Sequence, residues 1–137
     1  MDIMIPAEEL NECGKNSTIT YNAGDRLIIT GSEQLKDWDA IASIGYRLWK
    51  PYHLVFMNGQ ELSPTTRRSD PGKMLSLKAP DMVEIVGHAF DYCYDLASID
   101  APKVRKIGEG AFKDCISLTE VVFPEVEELG EEAFAGC

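Results

Sequence analysis

Two histidines, four cysteines and a surplus of carboxylates are the groups with which this chain could do chemistry. Their spacing argues against most of it. No histidine stands in H-E-x-x-H, no serine in G-x-S-x-G, and neither a P-loop nor a dinucleotide fingerprint is present. Cys13, Cys93, Cys115 and Cys137 lack the C-x-x-C spacing of zinc and redox sites. Glu125, Glu127, Glu128, Glu131 and Glu132 crowd one segment. Acid–base catalysis, however, needs a pair of carboxylates whose environments push their pKa values apart, and calcium needs a D-x-D-x-D-G type of loop that is missing. Asn16-Ser17-Thr18 fits a glycosylation acceptor, a pattern too short to identify a compartment. The expectation is therefore a protein that is not an enzyme, with no cofactor, no metal ligand set and no catalytic residue.

The cysteines do carry one regularity: three of them recur at intervals of 22 residues. A shift of 22 without gaps aligns Met74 with Leu96 and Leu118, Leu77 with Ile99 and Val121, and Ala79 with Ala101 and Phe123. Pro80, Pro102 and Pro124 coincide, as do Met82, Val104 and Val126, then Ile85, Ile107 and Leu129, and the Ala-Phe pairs ending at Phe90, Phe112 and Phe134. Three copies of one unit thus fill residues 74–137. Period-two alternation in each copy predicts a strand that ends at the proline, followed by a second short extended stretch around Val104–Ile107 in the middle copy. Gly108 and Gly130 are expected at sharp turns; the first copy has Val86 there, with Gly87 one residue later.

One such unit cannot bury its own apolar row, whereas neighbours ~4.8 Å apart can share it. Stacking makes aligned residues face one another, and the charges suit that arrangement. Asp81, Lys103 and Glu125 form one column, Glu84, Lys106 and Glu128 another, and Arg105 precedes Glu127 in a third. Signs alternate down each column, which fits a register device, with a charged ligand site as the alternative. The repeated cysteines are expected as a ladder of buried thiols, a disulfide framework being the alternative.

The run formed by Pro102, Val104, Ile107-Gly108, Ala111-Phe112, Cys115, Leu118 and Val121 resembles the BspA-type leucine-rich repeats of bacterial and some protist surface proteins. The resemblance implies a right-handed leucine-rich-repeat solenoid, mainly β, with a sheet along one face. It also implies a protein-binding or adhesion role at the cell surface or in secreted form.

Residues 1–73 read as a small α+β N-terminal cap. Thr18–Tyr21 and Arg26–Thr30 flank Asn22-Ala-Gly-Asp25 as a hairpin. Ser32 can cap a short helix that aligns Leu35, Trp38, Ile41, Ala42 and Ile44 and ends near Gly45. His53–Met57 reads as a strand, the candidate strand of a first irregular turn, and residues 63–72 as a polar loop. Trp38 and Trp49 are expected to cover the apolar end of the repeats. This half is similar, more loosely, to the segment that precedes BspA-type repeats.

At 137 residues, 45% apolar and 26% charged, the chain is sized and composed as one ordinary globular unit. A net charge of −10 argues against a nucleic-acid surface and an anionic membrane, since both need clustered Lys and Arg. The asymmetry is internal: residues 1–73 carry 8 basic and 10 acidic side chains, residues 74–137 carry 5 and 13. No run approaches the ~20 apolar residues of a membrane helix. Met1–Lys15 is acidic where a signal peptide is basic and then apolar, which leaves the compartment open.

The strand positions expected to point away from the core are Ser76 and Lys78, Ser98 and Asp100, and Glu120 and Val122. They are the candidate partner-binding residues, the alternative being a merely soluble sheet face. His88, which aligns with Gly110 and Glu132, is expected as an exposed side chain. The chain stops at the last landmark of a copy, so either it is a piece of a longer protein or the open C-terminal coil pairs with another chain or a second copy of itself. Two functions follow as expectations: a protein-binding or adhesion module, and a structural component of a virion or scaffold that forms a homo-oligomer through its ends.

Overall fold

A computed structural model describes residues 3–4, 18–21, 26–30, 46, 50–57 and 72–137. The expected helix over 32–44, the tryptophans and the polar loop over 63–71 lie outside the described residues. Among the described residues ten strands follow one another: β1 (Ile3–Met4), β2 (Thr18–Tyr21), β3 (Arg26–Thr30), β4 (Tyr52–Met57), β5 (Met74–Lys78), β6 (Glu84–Ile85), β7 (Ser98–Asp100), β8 (Lys106–Ile107), β9 (Glu120–Val122) and β10 (Glu128–Leu129). They form a seven-stranded sheet in the order β1-β2-β3-β4-β5-β7-β9 and a three-stranded sheet in the order β10-β8-β6.

Each repeat contributes one strand to each sheet, and all pairing between repeats is parallel. The register is the sequence period itself: Ser76 opposes Ser98 and Ser98 opposes Glu120, while Glu84 opposes Lys106 and Lys106 opposes Glu128. The expected hairpin is present, with β2 antiparallel to β3 and Tyr21 opposite Leu27. From there the sheet runs without interruption through the strand expected at His53–Met57: β3 pairs in parallel with β4, and β4 with β5.

The core is a set of columns, which the alignment of copies places together within residues 74–137 and which strands β3 and β4 extend. Leu27, Leu54, Leu77 and Ile99 form one buried row beneath the larger sheet. Met82 and Val104 form a second, Ile85 and Ile107 a third. The repeated phenylalanines stack face on face, with ring centroids 5.5 Å apart for Phe90 and Phe112 and 5.2 Å for Phe112 and Phe134. Each ring therefore buries its faces against its copies, a packing that contributes beyond the apolar area removed from water.

Cys93 and Cys115 are buried thiols outside any disulfide, as expected of a thiol ladder, while the Cys137 thiol in the last copy is exposed. The Cys115 thiol donates to the Phe90 carbonyl at 3.1 Å, and the Cys137 thiol repeats the contact one copy on, to the Phe112 carbonyl at 3.2 Å. Although the residue is exposed, partial desolvation of its sulfur holds the Cys137 thiol above its ordinary pKa.

Gly108 and Gly130 open tight turns as expected, with Ala111 N–H donating to the Gly108 carbonyl at 3.2 Å and Ala133 N–H to the Gly130 carbonyl at 3.3 Å, but it is not the turn that requires glycine. Neither has positive φ. What they permit is close approach: a Cβ on Gly108 would lie 2.8 Å from Gly87 Cα, and one on Gly130 2.8 Å from Glu109 Cα. The Cβ at this position points toward the preceding copy. Val86, in the first copy, is thus directed away from the other two and needs no glycine.

The left-handed residues sit elsewhere, and also in columns: His88, Gly110 and Glu132 have φ of 59°, 61° and 56°, and Tyr92, Asp114 and Gly136 have 57°, 57° and 77°. This conformation turns the backbone so that alternate N–H groups all face the next copy. His88, Phe90 and Tyr92 donate to the carbonyls of Glu109, Ala111 and Lys113, and Gly110, Phe112 and Asp114 to those of Glu131, Ala133 and Ala135.

The alternating charges meet in part of their columns, while among the described residues no ion pair joins Lys103 to Glu125 or Arg105 to Glu127. Lys103 Nζ lies 3.8 Å from Asp81, and Lys106 Nζ reaches both Glu84 at 3.8 Å and Glu128 at 3.9 Å. A further pair crosses diagonally, with Lys113 Nζ donating to Glu132 Oε2 at 3.2 Å, and that hydrogen bond together with the carboxylate charge raises the Lys113 pKa. All are pairs open to solvent, so each is weak and screened by salt.

Two stability measurements follow. In urea titrations Gly108→Ala should cost more than Gly110→Ala, because the first new methyl meets backbone and the second meets the movable His88 imidazole at 2.6 Å. Adding His88→Ala should relieve Gly110→Ala down to its left-handed strain of roughly 1–2 kcal/mol; equal costs for the two glycines would contradict the close-approach account. Separately, Lys106→Glu should lower stability by about 1 kcal/mol at low salt. Glu128→Lys should restore part of that loss, and the whole effect should shrink in ~1 M salt. A loss that persists unchanged in high salt would show that Lys106 acts through packing.

Candidate binding surface

Alternation along the larger sheet sends every second side chain away from the core. In β5 and β7, Leu77 and Ile99 point inward and are 2% and 1% exposed, so the residues on either side of each face outward. The six expected positions are thereby brought together in two adjacent columns, Ser76–Ser98–Glu120 and Lys78–Asp100–Val122. Lys78, Asp100, Glu120 and Val122 are exposed, while Ser76 and Ser98 are half-buried. In the last strand Val121 is 47% exposed although its column is the buried one, because no strand follows β9 among the described residues.

Both columns extend further toward the N-terminus than the repeat alignment indicates. His53 opposes Ser76 and Arg26 opposes His53, while Val55 opposes Lys78 and Ile28 opposes Val55. The face thus grades from Ile28 and Val55 at one end to Lys78, Asp100 and Glu120 at the other. The signal that would have placed His53 and Val55 is hidden by a register shift. Tyr52 opposes Met74 at the repeat spacing, but His53 opposes Ser76, so Leu75 is an extra residue and a bulge takes it up. An ungapped shift of 22 then puts every residue after Tyr52 on the wrong face.

The His53 Nδ1 and Ser76 Oγ atoms are 2.6 Å apart, a strong hydrogen bond in a part-buried setting. A serine beside an imidazole is the first half of a nucleophile–base pair. The second half requires an orienting acid and a recess with oxyanion donors. Among the described residues no carboxylate is hydrogen-bonded to this ring, and the pair lies on an open sheet. It can fix the imidazole on the face, and it offers a partner one polar edge of known orientation.

His88 is exposed, as its variable position implied, and its Nδ1 lies 3.3 Å from Asp91. Among the described residues no cluster of three or more His, Cys, Asp or Glu side chains is placed to hold a metal ion, and no helix is long and apolar enough to cross a membrane.

Residues 74–137 match the sequence model of a family described as the BspA type leucine rich repeat region (6 copies). No curated protein and no solved structure matches the chain. The match begins and ends with the three copies that carry the parallel pairing, the phenylalanine stack and the left-handed columns. Residues 74–137 of this chain are a leucine-rich repeat region of the BspA type.

Proposed function

We propose that the chain is a protein-binding or adhesion module without enzymatic activity, which engages its partner through Ser76, Lys78, Ser98, Asp100, Glu120 and Val122. In this reading residues 74–137 are turns of a right-handed solenoid, and residues 1–73 are the cap that closes one end. One observation carries it: the outer columns change character from strand to strand while the columns beneath them stay apolar. A rigid sheet with variable outward side chains is what a recognition surface needs. Leucine-rich repeat regions generally mediate protein interactions, and those of the BspA type often belong to surface or secreted proteins. A protein of the cell surface or extracellular matrix is therefore the first class of partner to test.

The test is surface plasmon resonance against a panel of immobilised matrix and cell-surface proteins. A ligand of the native chain should bind a Lys78→Glu, Asp100→Lys, Glu120→Lys variant at least about tenfold more weakly. The thermal midpoint should stay within a few degrees, since these exposed side chains support little packing. A ligand that holds both proteins equally well would remove the sheet face from consideration.

A second reading is a structural or assembly component that forms homo-oligomers through its ends. Light scattering coupled to size exclusion decides it. This reading expects a defined oligomer that grows with concentration and survives reductant, and a concentration-independent monomer mass would count against it.

A further inference from the structure

We infer that Arg26, His53 and Ser76, side by side on the outer face of β3, β4 and β5, form the seat for a carboxylate of the partner protein, and that the same partner sets a basic residue over Asp100 and Glu120. The inference rests on the reading of this face as the binding surface and names the chemistry of what binds there.

The seat begins with the register. Arg26 opposes His53 and His53 opposes Ser76, while Leu27, Leu54 and Leu77, one residue on, are buried. The three polar side chains therefore stand outward on neighbouring strands about 4.8 Å apart. Arg26 is exposed, and His53 and Ser76 are half-buried. The 2.6 Å contact between His53 Nδ1 and Ser76 Oγ holds the imidazole in place.

That contact also leaves a donor over. When the hydroxyl donates to Nδ1, the ring proton sits on Nε2; when Nδ1–H donates to Oγ, the hydroxyl proton turns to a third group. Nε2 has no partner among the described residues. A donor of fixed orientation beside a guanidinium suits a carboxylate, whose two oxygens accept from both. Charge-assisted bonds of this kind are roughly twice as strong as neutral ones.

Charge divides the face beyond β5. Strands β3, β4 and β5 carry Arg26, His53 and Lys78 and no carboxylate, whereas β7 and β9 carry Asp100 and Glu120 and no cation. This division selects the occupant. Nucleic acid, sulfated polysaccharide and anionic membrane lay down negative charge without a break, so one that reached the seat would also meet Asp100 and Glu120, one and two strands beyond Ser76. A second copy turned end for end would bring opposite signs together, but it would add a net charge of −10 to −10. A segment of another protein can carry its acidic and basic residues in the order the face requires.

NMR titrations of the full chain use the end-blocked peptide Glu-Glu-Gly-Ser-Lys-Lys. Its acidic and basic pairs are roughly 14 Å apart when extended, close to the three strand spacings between β3 and β7. A control peptide has Gln in place of Glu. At low salt the acidic peptide should bind about tenfold more tightly than the control and shift the His53 imidazole and Ser76 amide signals. The gap should close in ~1 M salt. Arg26→Gln and Ser76→Ala should each reduce the preference to about threefold.

Lowering the pH from about 8 to about 6 should tighten the acidic peptide, because an anion favours the imidazolium over the neutral ring. Among the described residues Arg26 faces that ring from β3, and Ser76 and Lys78 from β5. In His53→Gln the pH dependence should vanish. Equal affinity for the two peptides, no binding up to ~10 mM, or shifts confined to Lys78 would each overturn the inference. So would inorganic phosphate that occupies the same residues as tightly as the peptide, or a dimer that the peptide dissociates. The two readings remain separable: a matrix or cell-surface ligand lost by the triple sheet-face variant but held undiminished by Arg26→Gln would leave the face and remove the seat.

Discussion

Every repeat in this protein leaves backbone groups that only its neighbours can satisfy. A unit with two strands of two to five residues and tight left-handed corners holds few hydrogen bonds within itself, and a buried polar group without a partner costs about 1–3 kcal/mol. Ala97 donates to Leu75, Thr119 to Ala97, Gly108 to Ile85 and Gly130 to Ile107, so the same bond recurs one copy later. That shared accounting of donors and acceptors fixes the distance between copies, and the side chains follow from it. Phenylalanine rings can lie flat on one another because the backbones beneath them are held in step. Glycine must stand at 108 and 130 because that step is too short for a methyl group.

Much of this was legible in the sequence, because strict spacing makes alignment and adjacency the same thing. The buried columns, the facing of Glu84, Lys106 and Glu128, the strand pair at Thr18–Tyr21 and Arg26–Thr30, and the outward residues of β5, β7 and β9 all follow from it. Three features did not. The left-handed corners are occupied by glycine in only one copy of each column, at Gly110 and at Gly136. Histidine, tyrosine, aspartate and glutamate hold the same conformation elsewhere because inter-repeat hydrogen bonds impose it, so composition gives no hint. The glycines that are repeated, at 108 and 130, answer a clash between copies, which a local reading of turns cannot detect. His53 and Val55 escaped the face because a single inserted residue breaks the period.

Along the sheet face the inner strands β3, β4, β5 and β7 are paired on both sides and only the outward side chains vary, so recognition there is a matter of surface chemistry layered on a fixed frame.

The bulge at Tyr52 and His53 has a wider meaning. A sheet built from like copies has one pitch, and a strand from a segment of different spacing can join it only through an adaptor. Leu75 is that adaptor: it keeps Tyr52 against Met74 and Leu54 against Leu77, both pairs inward, across an interval that is not a multiple of the repeat. The seam between the irregular and regular halves thus behaves like a coupling between two gear trains. Whole copies can be gained or lost beyond it in the course of evolution without changing the phase of the strands before it. A change of one residue at the seam would turn one half of the face inside out.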